Sequence, residues 1–165
     1  MNEAQRLVDL IPRLRRYARA LVNDHASADD LVQDTLERAW AKLHLYRRGT
    51  DLRAWLFTVM HNVHVNKVRS ARATDPLDDE MPELAQRAAQ GESLVVRDLD
   101  RAIARLPEEQ RAVLLLVTLE EMSYDQVSRA LGIPIGTVMS RLSRAREKLR
   151  AMMFGQSAAK LKVVK

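Results

Sequence analysis

The chain has 165 residues, no cysteine, 4% aromatic residues and a formal net charge of +5. The absence of cysteine excludes disulfides and thiolate metal sites and suits the reducing cytoplasm. No apolar run has membrane-spanning length, and the first ten residues already carry acidic side chains, so we expect neither a membrane span nor a signal peptide.

The charge is divided into three blocks. Residues 1–72 hold 13 Lys/Arg and 8 Asp/Glu, residues 73–93 hold 1 and 6, and residues 94–165 hold 13 and 8. Two basic blocks flanking an acidic one are typical of a chain that binds a polyanion, although a net charge of this size is also ordinary for a small soluble protein. Helix-forming residues dominate and strand-like alternation is absent, so we predict an all-α protein.

The first block predicts three helices. Leucines recur at helical spacing over residues 7–21, where Pro12 predicts a helix start or a kink. A second helix is predicted from about Ser27, with an apolar stripe that includes Trp40 as a core residue. Its opposite side is polar and partly acidic, which fits either a solvated surface or a docking face for a partner.

A loop over residues 45–51 precedes a long helix predicted from Leu52 to about Arg72. The outer faces of that helix carry amide, imidazole and guanidinium groups, which suit a strand of exposed bases, and Tyr46 in the loop could stack on one. Trp55 is interpreted as a core residue, and Phe57 and Met60 are placed on the outer faces. The histidines at 61 and 64 lack an acidic or cysteine partner nearby, so no metal site is predicted.

An acidic segment, 73–93, contains prolines and a glycine and is interpreted as a linker between two cores. Helices are predicted over 94–106 and from Pro107, with the apolar run 113–119 as the buried centre of the second domain. The last residues, 152–165, are predicted to form a basic tail.

Residues 123–150 predict a helix-turn-helix. Ser123 and Gln126 have the spacing of a capping box, and Gly132 followed by Pro134 ends the first helix. The second helix has one apolar stripe and a basic outer face, the features of a helix that enters the DNA major groove. A helical hairpin with a solvated basic face is the alternative.

In this order the segments closely resemble a bacterial extracytoplasmic-function (ECF) sigma factor, over about residues 5–150. The resemblance rests on ADDLVQDTLERAW at 28–40, DLRAWLFTVMHN at 51–62, LPEEQRAVLLL at 106–116 and the helix-turn-helix. It implies two helical domains: 1–72 for polymerase binding and minus-ten recognition, and 94–151 for minus-thirty-five recognition. The acidic linker would follow the path of the transcript, with Asp78, Asp79 and Glu80 displaced by RNA.

The resemblance also implies a role for each group of residues. Core RNA polymerase would be bound by Asp30, Gln33, Asp34, Glu37 and Arg38. The melted minus-ten DNA would be contacted by Tyr46, Arg47, Arg48, His61, Asn62, Asn66, Arg69 and Arg72. The minus-thirty-five duplex would be read by Thr137, Met139, Ser140, Arg141, Arg144 and Lys148.

The resulting prediction is a cytoplasmic promoter-specificity subunit that needs no cofactor and is not an enzyme. Its predicted partners are core RNA polymerase, promoter DNA and an anti-sigma factor, without direct membrane contact. Two alternatives stay open. One is a sigma-like decoy that binds an anti-sigma factor and never touches DNA, and the other is a stand-alone helix-turn-helix regulator.

Overall fold

A computed structural model describes the backbone of residues 2–74 and 94–163 and the side chains of residues 2–73 and 94–155. Within this part there are seven α-helices and no β-strand, so the predicted all-α class is confirmed. The helices are α1 (Glu3–Leu21), α2 (His25–Ala41), α3 (Leu52–Thr74), α4 (Leu94–Arg105), α5 (Glu108–Thr118), α6 (Tyr124–Leu131) and α7 (Ile135–Val163). A short 3-10 helix, Leu43–Leu45, follows α2.

The first two helices begin earlier than the sequence predicts, because each has an effective N-cap. The side chain of Asn2 accepts a hydrogen bond from the backbone N–H of Gln5 at 2.9 Å and starts α1. The expectation that Pro12 starts or kinks this helix is wrong about the start, because α1 begins at Glu3 and Pro12 lies inside it. Leu7 and Leu14, one on each side of the proline, are both buried and anchor the helix.

α2 begins at His25 rather than near Ser27. The carboxylate of Asp24 accepts hydrogen bonds from the backbone N–H groups of Ala26 and Ser27, both at 3.2 Å. These bonds satisfy two of the amide groups that a helix start leaves without an intrahelical partner. The hydroxyl of Ser27, which donates to the same carboxylate, lowers the pKa of Asp24, and the two backbone bonds lower it further.

α3 is buried on more of its circumference than its sequence pattern predicts. Phe57 and Met60 were expected on outer faces, yet they are 2% and 0% exposed. Phe57 packs edge-to-face on Tyr17 of α1, with ring centroids 5.1 Å apart. The physical reason is that α3 packs against α2 and α1 on one side and against α6 on another, so it needs more than one apolar stripe.

In the second half of the chain, α5 is the central helix. Val113 and Leu116 are fully buried, as the apolar run predicts. α7 is longer than expected: the predicted tail from residue 152 continues as helix to Val163, and Met152 packs against the core. Residues 152–163, predicted only as a basic tail, thus form the end of α7.

The two helical domains predicted are present, and they are in contact, so that their buried side chains form one continuous hydrophobic cluster. α1 packs on α5 and α3 packs on α6. Arg111 of α5 crosses this boundary, because its Nη1 donates to the backbone carbonyl of Leu21 at 2.6 Å while its other nitrogens donate to carbonyls in the last turn of α4 and just after it. We refer to residues 2–74 as the N-terminal unit and to residues 94–163 as the C-terminal unit.

Residues 73 and 74, the start of the predicted linker, belong to α3. The rest of the linker, including Asp78, Asp79 and Glu80, lies outside the described residues. In the part of the chain that the structure covers, no helix combines the length and apolar character required to cross a membrane.

Candidate nucleic-acid and protein interfaces

The outer face of α2 carries all five side chains predicted to dock on a partner. Spacings of three and four residues place them on one side of the helix. Four are exposed and Asp34 is half-buried. This group, which we call the α2 face, consists of Asp30, Gln33, Asp34, Glu37 and Arg38.

A lysine from the next helix neutralises part of the α2 face. Nζ of Lys67 on α3 is bonded to Oδ2 of Asp30 and lies 2.5 Å from Oδ2 of Asp34. The hydrogen bonds to these two carboxylates raise the pKa of Lys67. The α2 face is therefore less negative than its sequence indicates, and it adjoins α3 through this contact.

Trp40 is exposed, not buried in the core as expected. Its relative exposure is 63%, whereas Thr35 on the same helix is completely buried. The hydroxyl of Thr35 donates to the carbonyl of Leu31 at 2.7 Å, which satisfies its polar group inside the core. Since Thr35 and Ala39 define the buried side, Trp40 is turned outward, one helical turn beyond Glu37. Sequence reasoning missed this aromatic because the spacing 32, 36, 40 also resembles an apolar stripe.

Tyr46 lies inside the molecule, which differs from the expectation that it is presented to a base. It is 7% exposed, its ring packs against Trp55 with centroids 5.5 Å apart, and its hydroxyl donates to the carbonyl of Thr50 at 2.5 Å. It thus shapes the loop before α3. Arg47 and Arg48 are exposed on this loop, and Arg48 pairs with Glu3 at 2.9 Å.

Along α3, four of the predicted DNA-binding residues share an exposed side. They are Asn62, Asn66, Arg69 and Arg72. Asn66 also lines an open groove between α2 and α3, whose other walls include Arg38 and Lys67. The predicted protein-binding and minus-ten surfaces are thus neighbours.

The two α3 histidines point toward the C-terminal unit. His64 is 8% exposed and its Nε2 is hydrogen-bonded to Oε1 of Glu108 on α5. His61 is half-buried, and its pKa is lowered by burial and by the charge of His64. Local spacing could not reveal the acidic partner of His64, because it lies 44 positions away.

The helix-turn-helix forms as predicted, with both bonds of its capping box present. The backbone N–H of Gln126 donates to Oγ of Ser123 at 3.1 Å, and the N–H of Ser123 donates to Oε1 of Gln126 at 2.8 Å. Gly132 has a φ of +65°, in the left-handed region that glycine tolerates best. Val127 of α6 and Val138 of α7 are both fully buried, and the two helices pack against each other.

The exposed side of α7 carries most of the predicted duplex-binding residues. Met139, Ser140, Arg144 and Lys148 are exposed, while Thr137 and Arg141 are half-buried. Nη2 of Arg141 lies 3.6 Å from Oε2 of Glu109 on α5. Three cationic side chains and two hydroxyls therefore lie along one side of the first four turns of α7, an arrangement that can contact phosphates and guanine edges.

Comparison with known protein families gives two matches, one in each unit. Residues 7–61 match the family model described as the Sigma2 domain of PhyR, and residues 97–149 match the model of Sigma-70, region 4. The first range covers α2 and the start of α3, and the second covers the helix-turn-helix.

Individual proteins match over most of the chain. The ECF RNA polymerase sigma factor EcfG of Rhodopseudomonas palustris is 35% identical over 150 residues, covering 90% of this chain and 83% of the relative. The sigma factor RpoE of Bartonella quintana, solved in complex with the anti-sigma factor NepR, is 36% identical with a TM-score of 0.81, covering 91% and 95%. The PhyRSL–NepR complex of Sphingomonas sp. Fr1 is 25% identical with a TM-score of 0.68, covering 92% and 91%.

Proposed function

The chain belongs to the ECF RNA polymerase sigma factors. From this premise we propose which of its surfaces binds polymerase and which surfaces bind each promoter element. As an alternative sigma factor it binds core RNA polymerase, directs it to particular promoters and helps melt the DNA. We assign residues 1–72 to polymerase binding and minus-ten recognition, and residues 94–151 to minus-thirty-five recognition. RNA synthesis itself belongs to the polymerase.

For polymerase binding we propose the α2 face together with Trp40. The five polar residues share one side of the helix, and Trp40 extends that side by one turn with 63% of its surface exposed. Exposed tryptophan beside charged groups is typical of the residues that dominate binding energy at protein interfaces. An aromatic anchor flanked by charges gives this surface both affinity and orientation.

For the minus-ten element we propose the exposed side of α3 and the loop arginines at 47 and 48. Separating and flipping bases costs a few kcal/mol per base, which contacts to the single strand must offset. Asn62 and Asn66 can bond base edges, while Arg69 and Arg72 can bind phosphates. Tyr46 supports this surface from beneath, since its ring and hydroxyl are both engaged inside the protein.

For the minus-thirty-five element we propose that α7 enters the major groove. Arg144 and Lys148 would bind phosphates or guanine, and Ser140 lies on the same exposed side, whereas the exposed Met139 lies beside Ser143 and Arg146 on another side of the helix. Each DNA contact is weak alone. Joining them in one chain raises the effective concentration of the second contact once the first has formed.

The acidic linker is proposed to occupy the path of the transcript until RNA displaces it. Its support is its charge, with 6 Asp/Glu against 1 Lys/Arg in residues 73–93. Replacing Asp78, Asp79 and Glu80 by Asn, Asn and Gln should change the ratio of abortive to full-length RNA. An unchanged ratio would remove this part of the proposal.

The observation that carries the proposed function is that similarity to a sigma factor covers 90% of the chain while α7 keeps an exposed basic face. The test is binding of the purified chain to core RNA polymerase. Glu37→Lys on the α2 face should weaken binding, whereas Asp9→Lys, at an exposed position on α1, should not. Absence of binding by the unmodified chain would contradict the assignment.

We also propose that an anti-sigma factor regulates this chain. The support is that the similar RpoE was solved bound to NepR. Such a partner should abolish transcription by the reconstituted holoenzyme when added in equimolar amount. Restoration of transcription by excess sigma chain would show that the partner acts on the sigma factor rather than on polymerase.

A second candidate function is that of a decoy that only sequesters an anti-sigma factor. Its support is that residues 7–61 match the Sigma2 domain of PhyR, and that the similar PhyRSL was solved in complex with the anti-sigma factor NepR. A decoy needs no DNA contact, so Arg144→Ala would leave all of its activities unchanged. The sigma factor requires that residue for promoter binding, and the same variant therefore separates the two functions.

A further inference from the structure

The N-terminal and C-terminal units are joined by a buried carboxylate. Glu120, just after α5, is 0% exposed. Its Oε1 accepts a hydrogen bond from Nη2 of Arg16 at 3.4 Å, and its Oε2 lies 3.8 Å from Nη1 of Arg13. Both arginines belong to α1, so the C-terminal unit buries its acid against cations of the N-terminal unit.

The same place is held by backbone contacts. Nη1 of Arg53 on α3 donates to the carbonyl of Glu120 at 2.9 Å, and Nη2 of Arg16 donates to the carbonyl of Leu119 at 3.4 Å. These carbonyls lie just beyond the C-terminus of α5, where the helix dipole favours cations. Three arginines of one unit therefore hold one helix end of the other.

The pairing of Glu120 with Arg13 and Arg16 has features of a contact that can separate. Within the described residues, Oε2 of Glu120 accepts no hydrogen bond, and Arg13 and Arg16 keep about half of their side-chain surface in water. A buried carboxylate with incomplete pairing gains less than a fully satisfied one, and water can solvate all partners once they separate. The boundary also includes the bond from Nε2 of Gln126 to Oδ2 of Asp51 at 2.7 Å, another polar contact that water can replace.

With the two units in contact, the molecule is too short to bind the minus-ten and minus-thirty-five elements at the same time. The minus-ten and minus-thirty-five elements lie about 25 base pairs apart, which is about 85 Å of duplex at 3.4 Å per pair. A compact chain of this length has a radius of gyration of about 15 Å and thus spans about 40 Å. In this structure the two reading surfaces are neighbours, because α3, which carries the minus-ten residues, packs against α6 of the helix-turn-helix.

We propose that Glu120, held by Arg13, Arg16 and Arg53, is an autoinhibitory latch that keeps the two units closed and must release before the chain can serve both promoter elements. The inference rests on the proposed function, because only a reader of two distant DNA elements has to open. Residues 75–93 number 19 and can span at most about 65 Å when fully extended. Chain length therefore permits the separation that the latch prevents.

The test measures the distance between the units and the affinity for polymerase in the same variants. The chain has no cysteine, so Ala26→Cys and Ala151→Cys can be labelled with a fluorescent donor and acceptor; both positions are exposed, and neither is among the residues proposed to contact polymerase or DNA. Glu120→Gln removes the charge of the latch. Glu121→Gln, at the exposed neighbouring position, is the matched control.

Glu120→Gln should lower energy transfer in the free chain and should bind core RNA polymerase about tenfold more tightly, because less of the binding energy is spent on opening. Glu121→Gln should match the unmodified chain in both measurements. Arg16→Gln removes a cation that pairs with Glu120 and changes a side chain that is half-exposed. It repeats the test should Glu120→Gln fail to fold.

Unchanged energy transfer in the latch variants, or opening without tighter polymerase binding, would overturn the latch. Failure of the unmodified chain to bind polymerase would instead contradict the proposed function, and the energy-transfer comparison would still decide whether Glu120 closes the molecule.

Discussion

His64 on α3 and Glu108 on α5 share a hydrogen bond between Nε2 and Oε1, although 44 positions separate them in the sequence. His64 is buried, whereas the side chain of Glu108 is 46% exposed, so the bond lies at the edge of the boundary between the two units. The bond stabilises the carboxylate and lowers the pKa of Glu108. Closure of the molecule therefore depends on charge as well as on apolar packing.

Acid should weaken this contact. The pKa of Glu108 in the folded chain lies below its ordinary value of 4.5. The ionised carboxylate therefore contributes fully to folding stability above pH 4.5, and this stability is lost as the pH falls through the lowered pKa. The free energy of unfolding, measured in urea at several pH values, should fall more steeply in acid for the unmodified chain than for Glu108→Gln. Glu147→Gln, at an exposed position of α7, should retain the unmodified profile. Parallel profiles for all three proteins would contradict the prediction.

Tyr46 should act mainly through the structure of its loop. Tyr46→Phe loses the hydrogen bond to the carbonyl of Thr50 and should cost about 1 kcal/mol of unfolding free energy. Tyr46→Ala also leaves a cavity beside Trp55 and should cost about 3 kcal/mol. Urea unfolding measures both values. Equal stability of Tyr46→Ala and the unmodified chain would show that the ring is not a packing element.

Trp40→Ala should separate binding from stability. With 63% of the residue exposed, its removal should change the unfolding free energy by less than about 0.5 kcal/mol. Affinity for core RNA polymerase should nevertheless fall about tenfold, as for an interface hot spot. Val8→Ala, which removes an exposed apolar side chain from α1, is the control and should leave that affinity unchanged. Normal polymerase binding by Trp40→Ala would exclude Trp40 from the interface.

Arg144→Ala should weaken binding to a minus-thirty-five duplex and reduce the slope of log affinity against log salt by about 1, because one phosphate contact is lost. Arg15→Ala, an exposed arginine on α1, tests whether net charge alone is responsible. A salt slope that both variants change equally would argue for a diffuse electrostatic effect rather than a contact from α7.

Local features were predictable from the sequence. The capping box of Ser123 and Gln126, the left-handed Gly132 and the first-turn acids of α5 depend on neighbours within a few residues, and the structure contains each of them. The side-by-side placement of the α2-face residues follows from helical spacing in the same way.

Features that depend on tertiary packing were not predictable in this way. Trp40 is exposed while Thr35 takes a buried position on the same helix, where its hydroxyl is satisfied by the carbonyl of Leu31. Tyr46 is buried because Trp55 covers it. Glu120 contacts residues of α1 that lie more than a hundred positions away in the sequence. Helical periodicity describes neighbours within a few turns and cannot predict such a contact.

The most direct test of the account is run-off transcription by core RNA polymerase from the promoter upstream of this chain's own gene. With the purified chain added, a transcript of defined length should appear, and Arg144→Ala should reduce its amount. A chain that binds polymerase but yields no more specific transcript than polymerase alone would contradict the assignment as a sigma factor.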